Sequence, residues 1–141
     1  MSRELIASNI VNELKSIIAN GRPKLVTREP FQFEDLSNAQ YPAVLVQTDG
    51  ETRLDSSIQG DDSSRSGKIT YSLVCFVKST QIDTARNQLA DIIEEKLEED
   101  RSRGGYAIDT QIISIETDQG SIRPIGGVII TVLVNYSYTR K

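Results

Sequence analysis

The feature that most constrains the fold is the closing run "VIITVLVNYSYT", Val128 to Thr139. Val128, Ile130, Val132, Val134, Tyr136 and Tyr138 share one face, and Ile129, Thr131, Leu133, Asn135 and Ser137 the other, the period of a long strand. A second run, "KITYSLVCFVKS", alternates in the same way, with Ile69, Tyr71, Leu73, Cys75 and Val77 on one face. It reads as a central strand. "AVLVQT", Ala43 to Thr48, sits between Pro42 and Asp49-Gly50 and reads as a buried strand, "KLVTRE" as a short strand stopped by Pro30, and "YAIDTQIISIETD" as another strand. Phe31, Phe33 and Leu36 in the loop after Pro30 are expected to tuck beneath the short strand.

Two segments carry the helical period instead. "SRELIASNIVNELKSIIANGRP" places Leu5, Ile6, Ile10, Leu14, Ile17 and Ile18 on one stripe, with Ser2 as N-cap and Asn20-Gly21 with Pro23 as the stop. Such a helix would be ~27 Å long, enough to lie across a small sheet. "DTARNQLADIIEEKLEEDR" turns Ala85, Leu89, Ile92, Ile93 and Leu97 inward, starts near Thr80 or Asp83 and stops at Gly104-Gly105. Glu94, Glu95, Glu98 and Glu99 fall on its opposite arc, where water solvates them and Lys96, Arg101 and Arg103 partly neutralise them. Paired carboxylates engaged in acid-base work would need a cleft to shift their pKa values, and nothing nearby is apolar enough to supply one.

The order is helix, strand, strand, polar excursion, strand, helix, strand, strand. It predicts an α+β two-layer domain with a mixed, mostly antiparallel sheet of about five strands and two amphipathic helices. The step from Ile69 through Leu97 to Ile113 is expected to make one right-handed crossover. At 141 residues the chain has the length of one domain, residues 1–141. The polar excursion, Gly50 to Gly67, is too poor in apolar residues to build a core and reads as a surface loop, an extended hairpin arm or a tongue. Within it Glu51, Asp55, Asp61 and Asp62 outnumber Arg53 and Arg65. At the far end of the last strand Tyr136 and Tyr138 are expected to be exposed beside basic residues, as sheet-edge decoration or an intersubunit contact.

Several chemistries are disfavoured by composition. The chain has no histidine, which removes the usual general base near neutral pH, the commonest nitrogen ligand for zinc and any Ser-His-Asp triad. Cys75 is the one cysteine and lies in an apolar run, so a packed thiol is expected. With 16 basic and 20 acidic residues the net charge is −4, which argues against binding driven by nucleic-acid phosphates. No phosphate-binding GxxxxGKS/T pattern occurs, and "DGETRLD" lacks the calcium-loop pattern, leaving at most adventitious divalent-ion binding. No run approaches the roughly 18 to 20 apolar residues of a membrane span, and the N-terminal stretch lacks a signal-peptide core, so a soluble protein made in a cytoplasm is expected. These readings give no cofactor and no enzyme activity.

Taken together, "LIASNIVNELKSII", "YPAVLVQT", the polar excursion before "GKITYSLVCFVKS", "ARNQLADIIEEKL" and "GGVIITVLVNYSY" make nearly the whole chain resemble the tail terminator, or tail-completion, proteins of long-tailed bacteriophages. The resemblance implies a virion protein assembled in the host cytoplasm. It implies a hexameric ring stacked on the last ring of tail tube protein, which stops elongation and presents a surface to the head-tail connector or neck protein. In contractile tails it also implies a grip on the tail sheath. DNA would pass through the ring without specific binding, which modest acidity suits. The residues expected to meet partners are Glu51, Arg53, Asp55, Asp61, Asp62, Arg65, Tyr136 and Tyr138. Two alternatives stay open: another neck or connector component of the same particle, and a small-molecule-binding or enzymatic α+β domain with the polar excursion as a lid.

Overall fold

The structure, a computed structural model, describes residues 2–54, 64–118 and 124–139. It is an α+β fold of two layers. Helix α1 (Ser2–Lys15) is followed by strands β1 (Leu25–Thr27), β2 (Ala43–Leu54) and β3 (Ser64–Lys78), helix α2 (Ile82–Glu98), and strands β4 (Asp109–Thr117) and β5 (Ile125–Thr139). One five-stranded sheet has the order β1-β2-β3-β5-β4. β1 runs parallel to β2, and every other neighbouring pair is antiparallel.

Both helices lie on one face of this sheet, and the alternation read in the sequence decides which side chains they meet. Ile69, Tyr71, Leu73, Cys75 and Val77 of β3 and Val128, Ile130, Val132, Val134 and Tyr136 of β5 are buried in one core with Ile6, Ile10 and Leu14 of α1 and Leu89, Ile93 and Leu97 of α2. α1 covers β1 and β2, and α2 covers β3, β5 and β4. On the other face the loop after Pro30 packs against β3, not beneath β1. Phe33 stacks on Phe76 at 5.2 Å between ring centroids, and Phe31 meets the same ring edge-on at 5.9 Å.

Four departures from the sequence reading have physical causes. Ser2 is the first residue of α1, not its cap, and α1 stops at Lys15, making it about 21 Å long at ~1.5 Å per residue. There Ser16 N donates to both Asn12 O and Glu13 O, and Ile17 N reaches back to Leu14 O, so the last turn tightens and the apolar stripe loses its phase. Ile17 stays buried, whereas Leu5 is 41% and Ile18 87% exposed. Second, β3, α2 and β4 do form a strand-helix-strand step, but β5 inserts between the two parallel strands. Third, β2 does not end at Thr48; it continues to Leu54 and pairs with β3 out to Leu54↔Ser66, so residues 50–54 and 66–70 form a paired hairpin arm. Fourth, Arg103 is not on the solvated arc of α2 but completely buried.

Candidate functional site

The base of the hairpin arm holds the most developed polar cluster, and a β-bulge creates it. In the lower half of β2, Val44, Val46 and Thr48 lie opposite Cys75, Leu73 and Tyr71 on the helical face. The register shifts between Thr48 and Gly50, leaving Asp49 unpaired. One extra residue reverses the parity of everything beyond it. Glu51 therefore falls opposite Ile69 and Arg53 opposite Gly67, on the helical face where an unbulged strand would have put Gly50 and Thr52.

Tyr136 of β5 also lies opposite Gly67. Its ring covers that glycine so closely that a Cβ on residue 67 would come within 2.6 Å of Tyr136 Cε1. Over this glycine the Tyr136 hydroxyl donates to Glu51 Oε2. The same oxygen accepts from Arg53 Nε at 2.8 Å, and Oε1 accepts from Arg3 Nε of α1 at 2.5 Å. Tyr71, fully buried, donates its hydroxyl to the Arg3 carbonyl at 3.1 Å and fixes the start of α1 beside the arm. Burial of the Glu51 carboxyl works to raise its pKa, but the hydrogen bonds from Arg3, Tyr136 and Arg53 outweigh it and bring the value down to about 2. Burial, followed by the bond to Glu51, raises the Tyr136 phenol above its ordinary range.

Of the residues singled out from sequence, the fold thus joins Glu51, Arg53 and Tyr136. Tyr136 is 2% exposed, which corrects the expectation of an exposed tyrosine: Gly67 leaves room for the ring to fold inward and Glu51 satisfies its hydroxyl. The backbones of Arg65 and Tyr138 pair further out along the arm. Asp55, Asp61 and Asp62 lie outside the described residues. Sequence reasoning missed Arg3, Gly67 and Tyr71. A glycine in an otherwise alternating strand was the available signal for Gly67, marking a close approach.

Elsewhere, Glu94, Glu95, Glu98 and Glu99 line an open, solvated surface along α2, as the periodicity predicted, and Asp91 joins them there. A cleft of about 370 Å³ opens between the Tyr41-Pro42 bend and α2. In it Lys78 Nζ donates to Asn38 Oδ1 at 2.6 Å and sits 5.8 Å from the centre of the Tyr41 ring. Among the described residues its lining includes one amine and no carboxylate, unlike the converging acids an acid-base site would need. Cys75 is buried, and burial raises its thiol pKa, so it behaves as packing. Among the described residues no group of three or more potential metal ligands converges, and no helix is long and apolar enough to cross a membrane.

Comparison with known proteins gives a likeness of fold. No protein family and no curated protein matches the sequence. The structure is similar to a chain from the virion of a native gene transfer agent particle, with a TM-score of 0.55 and 9% identity over 94% of both chains. At that identity the likeness is one of fold, and it extends over nearly the full length of both molecules.

Proposed function

We propose that this chain is a structural subunit of a phage-type virion and, within it, the tail terminator. As a hexameric ring it would cap the head-proximal end of the tail tube, stop elongation and join the tail to the head connector. The observation that carries the reading is the shared fold over 94% of this chain and 94% of a gene transfer agent virion chain. The layout agrees with it. A ring needs a heterologous contact in which one surface of a subunit meets a different surface of the next, and a two-layer domain with dissimilar flanks offers such a pair. In this reading the protein contributes shape and mating surfaces and no reaction, its partners are tail tube protein and connector or neck protein, with the sheath added in a contractile particle, and DNA crosses the ring unbound.

The test is to remove the gene from a producing strain and measure tails by electron microscopy. Overlong tubes of variable length are expected. Finished tails of normal length left unattached to heads would instead assign the chain to the connector side of the neck, and normal infectious particles would overturn both. Negative-stain images of the purified protein mixed with tail tubes should show a ring on one tube end.

A further inference from the structure

We infer that the subunits of this ring join through charge-complementary flanks, the acidic flank of α2 in one copy seating on the basic corner at the end of α1 and the start of β1 in the next. The inference rests on the ring reading above and names the surfaces that would build it. α2 is turned so that one side belongs to its own molecule: Lys96 lies 3.7 Å from Glu13 of α1, and Ile92 faces the turn after α1, where a Cβ added at Gly21 would lie 3.5 Å from Ile92 Cδ1. Asp91, Glu94 and Glu95 are exposed on a different arc of the helix, roughly 60° or more from Ile92 at ~100° per residue. Among the described residues none of these three has an ion-pair partner, although Glu98 and Glu99 have Arg101 and Lys96. Five carboxylates within nine residues with so little compensation repel one another and run against the helix dipole, an arrangement that an incoming cationic surface relieves.

The basic corner lies at the other flank of the sheet, where β1 is the edge strand. Lys15 ends α1, and Arg22 and Lys24 lead into β1; together they line one shallow recess with Pro23, Leu25 and Val26. All three cations are exposed and, among the described residues, unpaired. Ile18, in the same turn, is 87% exposed, the most exposed large apolar side chain described. An apolar knob beside three cations has the composition of an anchored, charge-steered interface. Ile115 of edge strand β4, 44% exposed, faces the same side of the sheet as α2 and offers apolar surface on that side. Because the two patches differ, the contact is head-to-tail: each copy offers one of each, and the arrangement can repeat around a ring.

The experiment uses charge reversal at exposed positions, with circular dichroism to confirm the fold. Lys15→Glu/Arg22→Glu/Lys24→Glu and Asp91→Lys/Glu94→Lys/Glu95→Lys should each weaken self-association by roughly tenfold or more in sedimentation at moderate salt. Mixing the two variants one to one should restore assembly, because the reversed surfaces complement each other. Ile18→Asp should weaken assembly without changing the fold. If the wild-type chain forms rings and both reversals leave them intact, or if the mixture fails to restore what each reversal lost, this interface is wrong while the ring stands. If the wild-type chain stays monomeric alone and on tail tubes, the ring reading fails and takes this interface with it.

Discussion

Glu51 carries its charge on a half-closed surface because three donors converge on it, and that arrangement has a pH signature. Its folded pKa of about 2 lies below the ordinary glutamate value, about 4.3. As pH falls the unfolded chain takes up the proton first. The stabilisation from Glu51 is therefore complete above the ordinary carboxylate range and is lost as pH drops from there through about 2. Glu51→Gln should cost roughly 1–3 kcal/mol at neutral pH, since the Arg3, Arg53 and Tyr136 donors lose a charged acceptor. Urea titrations between pH 7 and pH 2 should show a flatter acid limb for this variant. They should not show a level one, because Glu4, Asp100 and Asp109 are also held below their ordinary range, chiefly by hydrogen bonds from Arg28, Ser102 and Arg101. An unchanged acid limb would mean that the converging donors do not set the Glu51 charge.

At the scale of the element, α2 shows how a helix end can be finished from inside. The chain leaves α2 through a turn in which Arg103 adopts a positive φ of 51°, and the fully buried guanidinium swings back under the helix. Nη2 donates to Leu97 O at 2.5 Å, a carbonyl that the end of a helix leaves without a partner, and to Asp100 O in the turn that follows. At the other end Arg86 is almost as buried and donates through Nη1 to the Asp118 carboxylate at 2.5 Å and the Asp118 carbonyl at 2.8 Å, tying the start of α2 to the end of β4. Arg103→Ala should destabilise the fold by about 2–4 kcal/mol, since it opens a cavity and strips those carbonyls, and thermal unfolding would measure it. Stability within about 0.5 kcal/mol of wild type, the range of an ordinary surface change, would contradict this role. The apolar stripe of α2 was legible in the sequence because Leu89, Ile93 and Leu97 repeat at helical spacing. Arg103 was not: a cation beside acidic residues looks solvated until the turn that reverses it is known. α1 was misjudged for a related reason, since Ile17 and Ile18 extend its pattern but not its hydrogen bonding.

For the whole molecule, the layered α+β architecture followed from two strand-period runs and two helical stripes, while the site depended on one residue of register. Nothing in "TDGET" announces that Asp49 will bulge, and without the bulge Glu51 and Arg53 would face away from Tyr136. β2 beyond Thr48 was illegible for the same reason: Gly50, Glu51, Thr52 and Arg53 show no apolar alternation to betray a strand. Any shortening of the arm therefore has to keep the pairing from Leu54↔Ser66 inward. Replacing residues 55–63 with Asn-Gly, which with Ser64 and Arg65 makes a four-residue connection between Leu54 and Ser66, should leave the melting temperature within a few degrees, since the pairing from Leu54↔Ser66 inward remains. In the proposed role it should abolish capping, giving overlong tubes when it is the only copy, and normal tail lengths would refute a part for the tip. The strand order has a consequence for synthesis. β5, last of the five to leave the ribosome, is the one that β3 and β4 both need beside them. Until it emerges, hydrogen-bonding edges stand open on a nascent chain and the core lacks one wall, so the sheet can close only once translation has run through β5.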